Sequence, residues 1–366
     1  MVFRALLPHL ARLRDDAAGA AGAALDRALV TTALERSRRS PERERVARDD
    51  HGESLRVLAR VAETYADAQH FEDPRRFFAS PAPITPRLDP VRALPGGAGA
   101  VVDLSWPSDF DTVHAAPRDA YLAHVENRTA WARAWLHPSP RPAIVCIHGY
   151  LGGRASFEEA AFSVEWLYGL GLDVALPVLP FHAQRCPSGR QGMFPGRDPW
   201  RTVEGFAHAI HDLRALIAWL RARGATSVTV FGMSLGAYTT ALLSTVSDDV
   251  DHAVMMVPLA SLADAYLEHR EGRDDAPPEW LRARIDDAYR AVSPLSRRPR
   301  VAGDRALVLA ASGDRITRAS HADRLTAHFG AERHDFPGGH ILQVGRGRAF
   351  GTLARFLSRH GVIAPR

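Results

Sequence analysis

Lysine is absent: all 46 residues of the Lys-plus-Arg total among the 366 residues are arginine. That absence excludes chemistry. A Schiff base to an enzyme amine, a pyridoxal-phosphate anchor and a Gly-Lys-Ser/Thr phosphate loop all need a lysine. Cysteine is nearly absent too. Cys146 and Cys186 make no disulfide framework and point to a reducing compartment. No apolar run near the N-terminus approaches the roughly 18 residues of a membrane span. The start, MVFRALLPHLARLRDD, carries Arg4 and Pro8 inside its apolar part, so neither a signal peptide nor a transmembrane helix is expected and the expected location is cytoplasmic.

The formal charge is +4, but it rests on arginine alone in an alanine-rich chain, which reads as compositional bias rather than a surface selected for polyanions. With no basic-aromatic patch standing out, nucleic acid is not an expected partner. Apolar residues make up 46% of the chain, enough for a sizeable core, and the length fits one large domain with additions or two domains.

Along the chain, Phe3, Leu6, Leu7, Leu10 and Leu13 recur at helical spacing, a stripe that either packs on the main body or lies on a membrane surface. Residues 17–24 are only Ala and Gly, 36–50 form a charged run, and a helix is expected over Ser54–Gln69. Prolines and glycines from Ser80 to Gly99 mark a linker or extended wrap. Strands are then predicted at Val101–Trp106, Thr129–Leu136, Pro142–Ile147, Leu172–Leu179, Ser227–Phe231, His252–Val257, Ala306–Ala311 and Ala331–Phe336. The first two alternate and read as an antiparallel edge; the later apolar runs suit strands buried on both faces. Helices are expected between them, one opened by a Ser156/Glu159 capping box and one by Asp198 with Pro199. This alternation reads as α/β, a doubly wound, mostly parallel sheet with helices on both faces. The division expected is 1–99 as a helical extension with linker and 100–366 as the main domain, with a helical insertion at about 260–299.

The sharpest local signal is TSVTVFGMSLGAYTTALLS, residues 226–244, which reads strand, tight turn, helix. A G-x-S-x-G elbow needs small residues at Gly232 and Gly236 so that strand and helix can approach, and it lifts Ser234 to a helix N-terminus, where free N–H groups favour an oxyanion. A serine hydroxyl needs a base, and the base needs a group to hold its tautomer. His340 follows the last strand in a glycine-rich loop, and Asp314 follows the strand before it; Asp264 is the alternative acid. The oxyanion donors expected are the N–H of Leu235 and an N–H after Ile147, from Tyr150 or Leu151. Leu151, Phe181, Met193 and Phe194 are candidate pocket residues. Cys146, His148, His182 and Cys186 are a conceivable metal set, but Cys146 lies within a buried strand, the spacing matches no zinc pattern, and no metal or cofactor is expected.

From about Ala100 onward the chain resembles the α/β-hydrolase superfamily, on IHGYLGG, FGMSLGA, SGDRIT and PGGHI in that order. HGYLGG, PFHAQR and GMSLGA are further similar to the group containing abhydrolase domain-containing protein 18. The resemblance implies a sheet of about eight strands, a helical cap between the sixth and seventh, and an acyl-serine intermediate. Ester or thioester hydrolysis of a small or lipid-like acyl substrate is the expectation. A peptidase or acyltransferase shares the same parts, and a non-catalytic binding module of the same fold, or contact with a membrane surface, stays open at this level.

Overall fold

The computed structural model describes residues 2–38, 51–188, 192–268 and 279–365, with side chains described for 14–32, 53–188, 192–268 and 280–365. The stripe at 3–13, the charged run 36–50 and the middle of the 260–299 insertion fall outside the described side chains.

Nine strands form one sheet: β1 (Arg87–Leu94), β2 (Gly99–Pro107), β3 (Thr129–Leu136), β4 (Ala143–Ile147), β5 (Asp173–Val178), β6 (Val228–Met233), β7 (His252–Met256), β8 (Ala306–Ala311) and β9 (Glu332–Phe336). Their order is β1-β2-β3-β5-β4-β6-β7-β8-β9. The β1/β2, β2/β3 and β3/β5 pairs are antiparallel and all later pairs parallel. Composition explains the split. β4, β5, β6, β7 and β8 are buried at every residue, as strands covered by helices on both faces must be. β9, with ERHDF, and β1, with RLDPVRAL, carry the polar residues suited to edges.

β1 corrects the linker reading of 80–99. Pro90 and two arginines hid a strand that pairs along Arg87–Leu94 and shifts register between Pro90 and Arg92. Proline and charge are what an edge strand carries to block further pairing, and in sequence they read as loop. The insertion consequently follows the seventh strand and precedes the eighth. Its described helices are Leu262–Leu267 and Glu279–Tyr289.

Two helix starts behave differently. Asp198 caps Pro199–Ala222 by accepting from Arg201 N–H, and the stripe Val203, Phe206, Ile210, Leu213, Ile217 and Leu220 is buried. The Ser156/Glu159 capping box does not form. Ser156 lies inside the helix Ala155–Ala161, whose N-cap is Arg154. Glu159 instead accepts from Trp135 Nε1 at 2.9 Å, because a buried indole N–H must find a partner.

One apolar core under the sheet joins Val61, Tyr65, Phe77 and Phe78 to Val203, Phe206 and Tyr238, so residues 51–80 are packed onto the main body. The helix His51–Tyr65 also packs on the insertion, where Leu58 meets Ala263, Leu267 and Ile285. Among the described residues, no helix is long and apolar enough to cross a membrane.

Candidate active site

β4 lies between β5 and β6, so strand order reverses around it and the carboxyl ends of these strands open a crevice, where open α/β sheets place their sites. Ser234 follows β6 directly and heads the helix Leu235–Leu243 with φ 56° and ψ −115°. A left-handed φ is costly for a serine and persists only where surroundings hold it. Two glycines do so. A Cβ on Gly232 would stand 2.0 Å from Gly236 O, and one on Gly236 would stand 1.9 Å from Ile147 O, so strand, turn and helix close up only with hydrogens there. Ser234 N–H donates to Met256 O at 3.0 Å, tying the turn to β7.

The three residues singled out in the sequence meet. His340 Nε2 lies 2.9 Å from Ser234 Oγ, and His340 Nδ1 lies 2.8 Å from Asp314 Oδ2. Asp314 and His340 are 3% and 8% exposed while Ser234 is half-buried, so the carboxylate is shielded and the hydroxyl is reachable. Asp314 Oδ1 accepts from the N–H groups of Ile316 and Thr317 at 2.9 and 2.8 Å. Thr317 Oγ1 stands 2.9 Å from Asp314 Oδ2, 3.1 Å from His340 Nδ1 and 3.1 Å from Val257 O. These bonds hold the carboxyl group in place and fix which oxygen faces the imidazole. Thr317 escaped the sequence reading although it sits in the same SGDRIT run. Asp264, the alternative acid, is paired instead with Arg282 and Arg324.

The loop after β4 lies against Ser234, since a Cβ on Gly149 would stand 3.6 Å from Ser234 Cβ. Two buried residues shape it. His148 Nε2 accepts Leu179 N–H at 3.1 Å, which fixes the tautomer, and Nδ1–H donates to Gly149 O at 2.8 Å. Both ring nitrogens are thereby engaged, and His148 has no lone pair to offer an ion. Burial pushes its pKa down to about 3, so the ring is neutral at ordinary pH. Glu158 Oε1 accepts Gly153 N–H at 2.8 Å, and burial raises its pKa. Gly152 N–H is committed to Gly149 O at 3.1 Å. Among the described residues, the N–H groups of Tyr150 and Leu151 have no acceptor, and Leu235 N–H heads a helix where no intrahelical carbonyl can reach it.

The pocket residues divide. Leu151 is exposed at the rim, and Tyr150 bridges to the next loop by donating its hydroxyl to Gly192 O at 3.2 Å. Phe181 and Phe194 are core residues, 1% and 0% exposed: Phe181 packs on Tyr121 and His124, Phe194 on His182 and Phe206. Met193 is also buried. A groove of about 1240 Å³ between Trp166, Arg346, Phe350 and Arg355 holds none of the three meeting residues.

No family model matches the chain. Uncharacterized protein Rv2627c of Mycobacterium tuberculosis strain H37Rv is 32% identical over 289 residues, covering 77% of this chain and 70% of the relative. The chain belongs to the Rv2627c family. A second member, uncharacterized protein MT2702 of strain CDC 1551, matches over the same span at the same identity. Among solved structures, the acetyl xylan esterase from Paenibacillus sp. R4 superposes with TM-score 0.57 at 14% identity, covering 76% of this chain and 89% of that one. Acetyl xylan esterase 1 from Thermoanaerobacterium sp. JW/SL YS485 gives 0.53 at 15%, covering 81% and 91%. The fold is the α/β-hydrolase fold.

Proposed function

We propose that the chain is a serine hydrolase that cleaves a carboxylic ester or thioester through an acyl-serine intermediate. One observation carries the reading: a strained Ser234 within 2.9 Å of His340 Nε2, whose other nitrogen lies 2.8 Å from the buried Asp314. Ser234 attacks the acyl carbon while His340 Nε2 takes its proton. Nδ1–H donates to Asp314, which stabilises the imidazolium without becoming protonated. The N–H groups of Leu235 and Tyr150 receive the developing oxyanion; each such donor is worth roughly 10²–10³ in turnover. His340 then protonates the leaving group, and water enters by the same base to release the acid.

The exposed side chains beside the site, Tyr150 and Leu151 after β4 and Ile341 and Leu342 after His340, are apolar and support an acyl group with an apolar portion. The similarity of HGYLGG, PFHAQR and GMSLGA to the abhydrolase domain-containing protein 18 group belongs to this reading. The test is hydrolysis of p-nitrophenyl esters from acetate to octanoate, with hydroxylamine trapping of the acyl-enzyme. Turnover with a trapped acyl group is expected, with kcat/KM higher for the longer chains. Absence of both turnover and trapped acyl-enzyme across the series contradicts the proposal and leaves a binding module on this fold.

A further inference from the structure

The N-terminal helix Val2–Arg38 ends its buried face on the two loops that carry the acid and the base. Among its described side chains, Gly22, Ala23 and Asp26 are buried, and Asp26 is 0% exposed. Asp26 Oδ2 accepts His340 N–H at 2.7 Å and Arg315 N–H at 3.1 Å; Oδ1 accepts Ile341 N–H at 3.2 Å. Two of these amides belong to the base loop, and the third follows the acid directly in sequence. In a chain with 46 arginines, no described arginine side chain pairs with this carboxylate.

Burying a carboxylate costs several kcal/mol unless its lone pairs are met, and three N–H groups meet them. The approach is possible because the helix presents no side chain where it touches the loops. A Cβ on Gly22 would stand 2.1 Å from Gly339 N, and one on Gly313 would stand 2.3 Å from Gly19 O. The helix backbone therefore lies directly on both loops, and its carboxylate bonds to both at once, past the point where Gly313 N–H donates to Gly338 O at 2.7 Å.

Resting on the hydrolase reading, we propose that Asp26 is a positioning residue: by holding Arg315, His340 and Ile341 together, it sets the distance from the imidazole to both Asp314 and Ser234. The loop after β9 has no helix or strand of its own to hold that distance, and a misplacement of about 1 Å at a reacting group costs on the order of 10²-fold in rate. The residues needing this support lie 289–315 positions further along the chain. The stretch from Gly19 to Asp26 thereby supports the site rather than hanging from it as an appendage.

The test uses the full chain with Asp26→Ala, Asp26→Asn and, as a control on the same helix, Asp15→Ala, which breaks the surface pairs with Arg348 and Arg14. Two readouts are taken: kcat and KM on the ester that the wild type hydrolyses, and amide hydrogen exchange of segments 312–316 and 338–343. Asp26→Ala is expected to lower kcat by about 100-fold with KM within about threefold, and to raise exchange in both segments together. Asp26→Asn, which can still serve the two amides bound by Oδ2, is expected to recover about tenfold of that loss. Asp15→Ala is expected to match the wild type in both. If Asp26→Ala does not fold, Asp26→Asn carries the same signs at smaller size. Unchanged exchange in either segment, or folded Asp26 variants with wild-type kcat, overturns the proposal. If the wild type hydrolyses no ester, the hydrolase reading fails by itself, and the exchange measurement still decides whether Asp26 couples the loops.

Discussion

Among the described residues, two clusters bring serine, histidine and aspartate together, and only one has the order of contacts that a serine nucleophile requires. Besides Ser234, His340 and Asp314, a second set joins Ser108, just after β2, to His208 and Asp212 of the helix Pro199–Ala222. Ser108 Oγ lies 2.9 Å from His208 Nε2 and donates to Asp212 Oδ1 at 2.6 Å, and His208 Nε2 lies 3.2 Å from Asp212 Oδ2. The residue types are the same, but the order of contact is not. In the first cluster the chain of contacts runs hydroxyl, imidazole, carboxylate. In the second, the serine spends its proton on the carboxylate, so the imidazole has nothing to abstract.

Surroundings complete the difference. Arg185 lies 2.8 Å from Asp212 and 3.1 Å from His208 Nε2 and is 1% exposed. Burial works against the Asp212 carboxylate, but His208 and Arg185 outweigh it and hold its pKa well below the usual range. His208 is pushed down by burial, and Phe110 stacks on it with centroids 4.4 Å apart. Ser108 has neither the left-handed backbone of Ser234 nor a helix starting behind it. The second cluster is a buried ionic tie that fastens β2 and the Arg185 turn to the long helix. A nucleophile is recognised by strain, contact order and free donors, and composition alone does not supply them.

The comparison can be broken by substitution, beginning where the effect is largest. Ser234→Ala is expected to lower turnover by about 10⁴-fold or more, while Ser108→Ala leaves kcat within about threefold and costs roughly 1–2 kcal/mol of stability; ester kinetics and urea unfolding check both. Next comes the acid. Asp314→Asn is expected to cost about 10⁴-fold in kcat by reversing the imidazole tautomer. Asp212→Asn is expected to spare kcat in the folded protein but to lower stability by about 3 kcal/mol, since it leaves Arg185 buried without its charge partner. The reverse pattern in either pair would exchange the roles of the two regions.

The smallest effect is in pH. His148 in the loop after β4, and His182 packed on it, have pKa values pushed by burial from 6.5 to about 3 and about 4, so the unfolded chain binds more protons below pH 6.5. Their contribution is fully present above about pH 6.5 and lost as pH falls toward 4 and 3. Glu204, in the second region, is raised by burial from 4.5 to about 7 and has the opposite sign: its contribution is present below pH 4.5 and lost as pH rises through 7. Urea unfolding of His148→Gln from pH 4 to 7 is expected to show a shallower acid limb than the wild type by about 1–2 kcal/mol, with the alkaline limb unmoved. An unchanged acid limb would show that His148 is not what titrates there.

The meeting of Ser234, Asp314 and His340 was legible in the sequence because each of the three parts of this candidate site announces itself locally: a glycine-spaced turn after one strand, an aspartate after another, a histidine in a glycine loop after the last. The strands were legible for the same reason, since a run such as AIVCI is apolar on both faces only when both are covered. What was not legible depends on distant partners. Asp26 reads as one surface acid in an Ala/Gly helix until the loops nearly 300 residues away are placed on it. Gly19, Gly22 and Asp26 at one helical spacing were the available signal. β1 was hidden by the proline that suits an edge, and Glu159 was drawn from its expected cap to Trp135. Phe181 and Phe194 read as pocket walls because loops on that edge line sites, yet aromatics this large are held by the core.

The most direct measurement is reaction of the full chain with a fluorophosphonate, followed by peptide mass mapping. A single phosphonyl adduct on Ser234 is predicted, absent in Ser234→Ala and undiminished in Ser108→Ala. An adduct on Ser108, or an intact protein that leaves Ser234 unmodified at saturating reagent, would contradict the account.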